Sequence, residues 1–230
     1  VVDTVVYGNG PTDVDGWSGI ALVEPLQGLG NLIYLRGDGC GDAPDTDTVA
    51  DWHQRWSRLG GSSFCLPTTS TTTGTVVPLI GPDDGLADLL AWIEGANTSL
   101  SVHMYHLHDV HLVEALIAAD NRGVEVTVVM DAGDTWWSEQ AMDAQRGMAV
   151  ALLNGGVNTL WFGDSGENPY AYVHSKVAWR YNDSVWIGSG NWKSSSHPVP
   201  GDAGNRDCGV LIHDAPFTNM VANHLAFDED

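Results

Sequence analysis

Basic side chains are scarce in this chain. Nine Lys and Arg stand against thirty Asp and Glu, which gives a formal charge of −21, and only two of the nine are lysines. A broad cationic footprint, which loose adhesion to nucleic acid requires, is therefore excluded. A local phosphate site working in concentrated salt is not. The acids are mostly Asp and are dispersed, with ten Trp residues among them, so they do not form a disordered acidic tail. Dispersed carboxylates keep a folded protein soluble, and salt screens their repulsion. The charge thus points to a salt-adapted protein from a salt-loving, archaeal source.

Other absences narrow the field further. No run of about 18 apolar residues occurs, so no transmembrane helix is expected. Val1 opens directly into polar–apolar alternation, which is not the pattern of a signal peptide. The glycine-rich signatures GxGxxG, P-loop and GxSxG are missing, and with them any support for dinucleotide, nucleoside-triphosphate or serine-hydrolase sites. Cysteines number three, in no spacing that suits a zinc knuckle. Cys40 and Cys65 bracket a short segment and are a plausible disulfide, which would imply an extracellular setting; three unpaired thiols is the alternative.

What is present suffices for a sizeable core, since 43% of the 230 residues are hydrophobic. The one low-complexity stretch, LPTTSTTTGT from Leu66 to Thr75, reads as an exposed linker over residues 66–75. It separates a β-rich segment over 1–65 from an alternating helix–strand domain over 76–230. In the second part Leu86, Leu89, Leu90 and Ile93 recur at helical spacing behind Asp83 and Asp84 as caps. Strands are expected over Ser99–Leu107, Val124–Met130, Thr159–Phe162, Tyr172–Arg180, Ser184–Gly188 and Cys208–His213. Helices are expected over Val110–Asn121, Ser138–Asn154 and near Phe217–Phe227. The fold class is α/β, a mixed sheet flanked by helices, with a small β-rich N-terminal segment.

Two constellations carry chemistry. His106-Leu107-His108-Asp109-Val110-His111, with His103 just before, holds side chains that zinc favours. It approaches the HxHxDH pattern of metallo-β-lactamase-like hydrolases, but Asp109 falls one residue early. A supporting place for His106 in a phosphate pocket is the other reading. The second constellation is His174-Ser175-Lys176 followed by Gly188-Ser189-Gly190-Asn191. On a strand His174 and Lys176 share a face. Gly188 and Gly190 would let backbone approach an anion, while Ser189 and Asn191 supply donors. Nucleophile, cation and neutral donors together suit a phosphodiester.

These residues resemble the phospholipase D superfamily, whose signature is HxK, an Asp after four residues, and GSxN after six more. His174, Lys176, Gly188, Ser189 and Asn191 fall in register, whereas the Asp falls on Tyr181, with Asp183 two residues on. The resemblance covers about residues 76–230. It implies a hydrolase in which His174 attacks phosphorus and Lys176 and Asn191 hold the non-bridging oxygens. Asp207 would orient the catalytic imidazole, Ser189 would assist, and Gly188, Gly190, His106 and Asn205 would line the substrate. No metal or cofactor is implied. DNA is the leading substrate; a phospholipid, approached over Trp136-Trp137 and Trp161-Phe162, and a catalytically silent binding module are the alternatives.

The mechanism calls for two histidines at one phosphorus, and the chain carries one motif, so a homodimer with a composite site is expected. In the N-terminal part Val5–Gly8, Gly16–Gly19 and Asp45–Trp52 resemble the later strands of a lamin-tail domain. Such modules accompany extracellular nucleases, which implies an extracellular or cell-surface setting.

Overall fold

A computed structural model of the chain describes residues 12–15, 17–19, 34–36, 52–54, 71–83, 85–133, 137–162 and 172–225. By contacts the chain divides into two units, Val1–Thr68 with Ser165–Ala171, and Thr69–Asp164 with Tyr172–Asp230. In the first unit, β1 (Tyr34–Arg36) pairs antiparallel with β2 (Trp52–Gln54). Most of the lamin-tail-like runs, and both Cys40 and Cys65, lie outside the described residues.

The second unit holds the sheet. In chain order it runs β3 (Thr75–Ile80), α1 (Gly85–Glu94), β4 (Ser99–Met104), α2 (Val110–Asn121), β5 (Glu125–Asp131), α3 (Glu139–Asn154) and β6 (Asn158–Phe162). It continues with β7 (Lys176–Arg180), β8 (Ser184–Gly188), β9 (Cys208–His213) and α4 (Ala215–Leu225). The seven strands lie in the order β3-β9-β8-β7-β4-β5-β6. Strands β4, β5 and β6 are parallel, and every other neighbouring pair is antiparallel. This is the mixed α/β sheet expected from the sequence.

Local chemistry sets the helix ends. The Asp109 carboxylate accepts from the amides of His111 and Leu112 at 3.0 and 3.2 Å and so starts α2. Ser138 does the same for α3 through the Ala141 amide, and Gly123 at φ +90° lets the chain turn after α2. Leu89 and Ile93 of α1, Leu112 and Leu116 of α2 and Leu152 of α3 pack against Leu100, Val102, Val126 and Val128 on one face of the sheet. On the other face Val177, Trp179, Val185 and Ile212 meet Ala222 of α4. Full burial of each such aliphatic chain is worth about 1.5–3 kcal/mol over exposure.

Three sequence expectations need correction, the first being that the strand expected over Ser99–Leu107 ends at Met104. Thr75, read as the end of the linker, is the first residue of β3. The strand expected from Tyr172 begins only at Lys176, so residues 172–175 enter it as irregular chain. The cause is Asp131 at the end of β5. Its carboxylate takes the Val173 amide at 2.9 Å and the Gly133 amide at 2.8 Å, which holds the incoming chain away from ladder geometry.

Candidate active site

The register of the sheet gathers one end of five strands. Met104 pairs with Lys176, Ile187 with Val177, and Gly188 with Gly209. The carboxyl ends of β4, β5 and β8 therefore lie beside the amino ends of β7 and β9. His174, Lys176, Ser189, Asn191, Asp207 and His106 are all brought to that end.

The Lys176 Nζ lies 3.1 Å from His174 Nδ1 and donates to the His174 carbonyl at 2.6 Å. An ammonium has only donors, so in this contact Nδ1 is the acceptor and Nε2 carries the proton. The same Nζ sits 5.1 Å from the centre of the Tyr105 ring, and the imidazole of His174 lies 4.5 Å from that ring. Tyr105 thus forms an aromatic floor under the pair, and its hydroxyl accepts from Trp137 Nε1 at 3.0 Å. Burial, followed by the Lys176 ammonium, lowers the pKa of His174 against a smaller opposing pull from Asp131. A neutral imidazole results at neutral pH, which is the form a nucleophile needs. Burial also lowers the pKa of Lys176.

Asn191 is oriented from the other side. The His106 amide donates to its Oδ1 at 3.2 Å, which leaves the Asn191 NH₂ as a donor for a bound anion. The His106 ring stacks on Trp137 with centroids 4.0 Å apart and meets His108 edge-on at 5.0 Å. Burial, then the charges of His108, Lys193, Lys176 and His174, take its pKa down to about 4. Unfolded, it would titrate near 6.5. Between those values the unfolded chain holds a proton that the folded chain does not. The stability tied to neutral His106 is therefore complete above about pH 6.5 and drains as pH falls towards 4. Denaturant midpoints measured from pH 7 to pH 4 are expected to fall, and His106→Asn to flatten part of that fall. Parallel curves for the two proteins would remove the neutral-His106 assignment.

Asp207 differs from expectation. Its Oδ1 accepts from the Ser189 hydroxyl at 2.8 Å, and its buried Oδ2 has no hydrogen-bond partner. It orients a serine rather than an imidazole. The Gly188–Gly209 register is the reason: it places Ser189 beside the Asp207–Cys208 corner, where the Ser189 amide also reaches the Cys208 carbonyl at 2.9 Å. Both glycines also lie where a side chain would not fit. A Cβ on Gly188 would lie 2.5 Å from the Trp186 ring, and one on Gly190 would lie 3.0 Å from the Asp207 carboxyl. Asn205 is exposed, and its backbone bonds Ser195 and Asp207.

The two constellations do not compete for one place. His103 is buried in β4 against Trp179, His106 faces Trp137, and His111 lies in the first turn of α2. Among the described residues no three His, Cys, Asp or Glu form a group that could hold a metal ion. Trp137 is buried at 8% exposure, so it is packing under His106 and not part of an apolar entrance; Trp136 lies outside the described residues.

The departure at the motif Asp is remote from the chemistry. Tyr181 is in the turn between β7 and β8, one strand length away from Lys176, or about 16 Å at 3.3 Å per residue. Asp183 anchors that turn instead, by an ion pair to Arg180, which also donates to the Trp92 carbonyl at 3.0 Å. Tyr181→Asp is expected to change turnover by less than about twofold, because an exposed substitution that far from the site leaves its geometry alone. A tenfold gain measured on any phosphodiester would show that the tyrosine impairs the site.

Sequence reasoning gave Tyr105, Asp131 and Lys193 no place in the site and gave Trp137 a lipid-facing one. The signal for Lys193 was available: Lys176 and Lys193 are the only lysines in the chain, and both act on His106.

The family model described as "Cardiolipin synthase, PLD-like domain" matches residues 89–228. Among solved structures, the chain is similar to Nuc, a phospholipase D family member from Salmonella typhimurium. Identity is 24% and the TM-score 0.52, covering 65% of this chain and 90% of that one. NucT from Helicobacter pylori is similar at 18% identity and a TM-score of 0.51, over 65% of this chain and 92% of that one. Polyphosphate kinase from Porphyromonas gingivalis is similar at 15% identity and a TM-score of 0.50, over 68% of this chain but 26% of its own. No curated protein matches the chain.

Proposed function

The chain belongs to the phospholipase D-like family, and on that premise we propose that it is a metal-independent phosphodiesterase acting on DNA through a phosphohistidine. The observation that carries the reading is the contact of the Lys176 ammonium with the His174 ring at 3.1 Å, beside an Asn191 amide already oriented by His106. A docking phosphodiester draws the ammonium off the ring and frees an imidazole lone pair. That nitrogen attacks phosphorus, a P–N bond forms, and the P–O bond to the leaving alcohol breaks. Lys176 and the Asn191 NH₂ hold the non-bridging oxygens as charge builds there. A second imidazolium gives its proton to the leaving oxygen. The same imidazole then takes a proton from water as the water oxygen displaces the P–N bond.

That step needs a second histidine, and the chain carries a single HxK…GSxN motif. His106 and His108 lie beside the site, yet neither carries a Lys two residues on as His174 does. A second copy supplies another His174, and the working unit is a homodimer with a shared site. The dispersed acidic surface supports a salt-adapted enzyme, and the lamin-tail-like runs support a place outside the cell or on its surface.

The test is hydrolysis of plasmid DNA and of phosphatidylcholine vesicles in concentrated salt. DNA cleavage without lipid turnover is expected. Lipid turnover alone would make it a lipase, and neither would make it a binding module. Titrating wild-type protein with inactive His174→Ala protein tests the sharing. At equal amounts and constant total protein, freely exchanging dimers with one composite site retain about one quarter of the activity, against about one half for independent sites.

A further inference from the structure

The segment between β4 and α2, residues 105–109, carries the His106 amide that orients Asn191. Beyond a single bridge between Leu107 and Trp192, no strand ladder fixes its course. Its amides are nonetheless all paired. Tyr105 donates to the Ser175 carbonyl at 3.2 Å, and His108 and Asp109 donate to the Trp192 carbonyl at 2.7 and 2.9 Å. His106 donates to Asn191 Oδ1 at 3.2 Å, and Leu107 donates to the side-chain oxygen of Gln145 at 3.0 Å.

Gln145 reaches this segment from α3 and is fully buried. Its Nε2 donates to the carbonyls of Tyr105 and Asp131, each at 3.0 Å, while its Oε1 accepts from Leu107. It also hydrogen-bonds the His108 side chain. Both donors and the acceptor of one amide are thus spent on main chain. An ionised carboxylate lacks those donors, and a thioether of similar length lacks them too. Asp131 ends β5, so the side chain ties the irregular segment to the sheet. The peptide it holds is the one that orients Asn191. The Tyr105 carbonyl and the His106 N–H belong to one planar trans unit and point to opposite sides of the chain. Gln145 grips one side of that unit, and Asn191 Oδ1 takes the other.

We propose that Gln145 is a positioning residue of the phosphate site: by fixing the Tyr105–His106 peptide it leaves the NH₂ of Asn191, and not its oxygen, for the anion. The inference rests on the phosphodiesterase reading for the nature of that anion. The two orientations of an asparagine amide are nearly equal in shape, so hydrogen bonds alone choose between them. Without Gln145 the peptide is free to rotate, the His106 N–H leaves Oδ1, and the Asn191 amide can turn over. A carbonyl oxygen then meets the phosphate, and repulsion replaces stabilisation where charge builds.

Gln145→Met, similar in length and without the amide, is expected to lower kcat on bis(p-nitrophenyl) phosphate about 10–100-fold with KM little changed. In an Asn191→Ala background the same substitution should cost less than about twofold, because both changes act on one contact. Lost packing alone would instead multiply the two losses. Independently of turnover, the His106 amide and Asn191 side-chain NH₂ resonances of ¹⁵N-labelled protein should move in Gln145→Met, while the amides of α4 stay in place. Inorganic phosphate should shift the Asn191 NH₂ resonances of wild type and not those of the variant. Should Gln145→Met fail to fold, Gln145→Glu, which keeps the shape and the acceptor for Leu107, is read in the same way. Wild-type protein that cleaves no phosphodiester yet shows these shifts would remove the catalytic reading and leave the positioning role standing. The proposal is overturned if the His106 amide and Asn191 NH₂ resonances stay in place in a folded variant, or if the two losses multiply.

Discussion

His174→Ala is expected to lower turnover on every phosphodiester by at least about 10⁴-fold, equivalent to about 5.5 kcal/mol of transition-state stabilisation. So large a loss is expected because in the proposed mechanism the side chain forms the covalent bond, and the remaining groups can only bind and polarise. Little of the fold depends on it. His174 is exposed in the irregular segment before β7, and its ring rests on Tyr105 without filling the core. Substitution there should change stability by no more than about 0.5 kcal/mol, so the denaturation midpoint and circular dichroism of the variant should match wild type. Retention of wild-type kcat by a folded variant would remove His174 from the chemistry. A variant that unfolds would make the loss uninformative, and His174→Asn, closer in shape, would then replace it.

Lys176→Met ranks second, with an expected loss of about 10³-fold in kcat, the upper range for removing one preorganised donor from a developing oxyanion. Methionine keeps the apolar stem against Tyr105 and removes only the charge. A second readout separates catalysis from packing. The ammonium lowers the pKa of His174, so without it that pKa rises towards the ordinary value. The neutral imidazole then survives only at higher pH, and the acid limb of the residual activity moves upward. A thousandfold loss with an unmoved acid limb would place Lys176 on the phosphate alone, away from the nucleophile. Unchanged kcat would remove it from the site.

Much of the second unit could be read from the sequence because its signals are local. Asp109 ahead of Val110 and Gly123 behind Asn121 bound α2 where periodicity placed it. The apolar runs at Ser184–Gly188 and Cys208–His213 are strands over those same residues. The motif residues His174, Lys176, Ser189 and Asn191 were legible because two antiparallel neighbours, β7 and β8, and the residues just outside them hold all four within eighteen positions of one another. What failed were statements about partners. Asp207 bonds Ser189 because of strand register, and register is not written in the spacing of a motif. The histidines from His103 to His111 read as one cluster, yet a strand end, a loop and a helix cap turn them in three directions.

The sequence by itself determined the acidic character, the alternation of helix and strand, and the nearness in the chain of an imidazole, an ammonium and neutral donors. These depend on composition and on residues near one another in the chain. Only the tertiary structure decided how the strands are ordered, with β9 seated between β3 and β8 although some 130 positions separate it from β3. It alone brought Tyr105 under Lys176, Trp137 under His106, and both lysines to the same imidazole. Those contacts arise from burial and register across distant segments, where the free energy of packing a whole sheet, and not any local preference, selects which side chains meet.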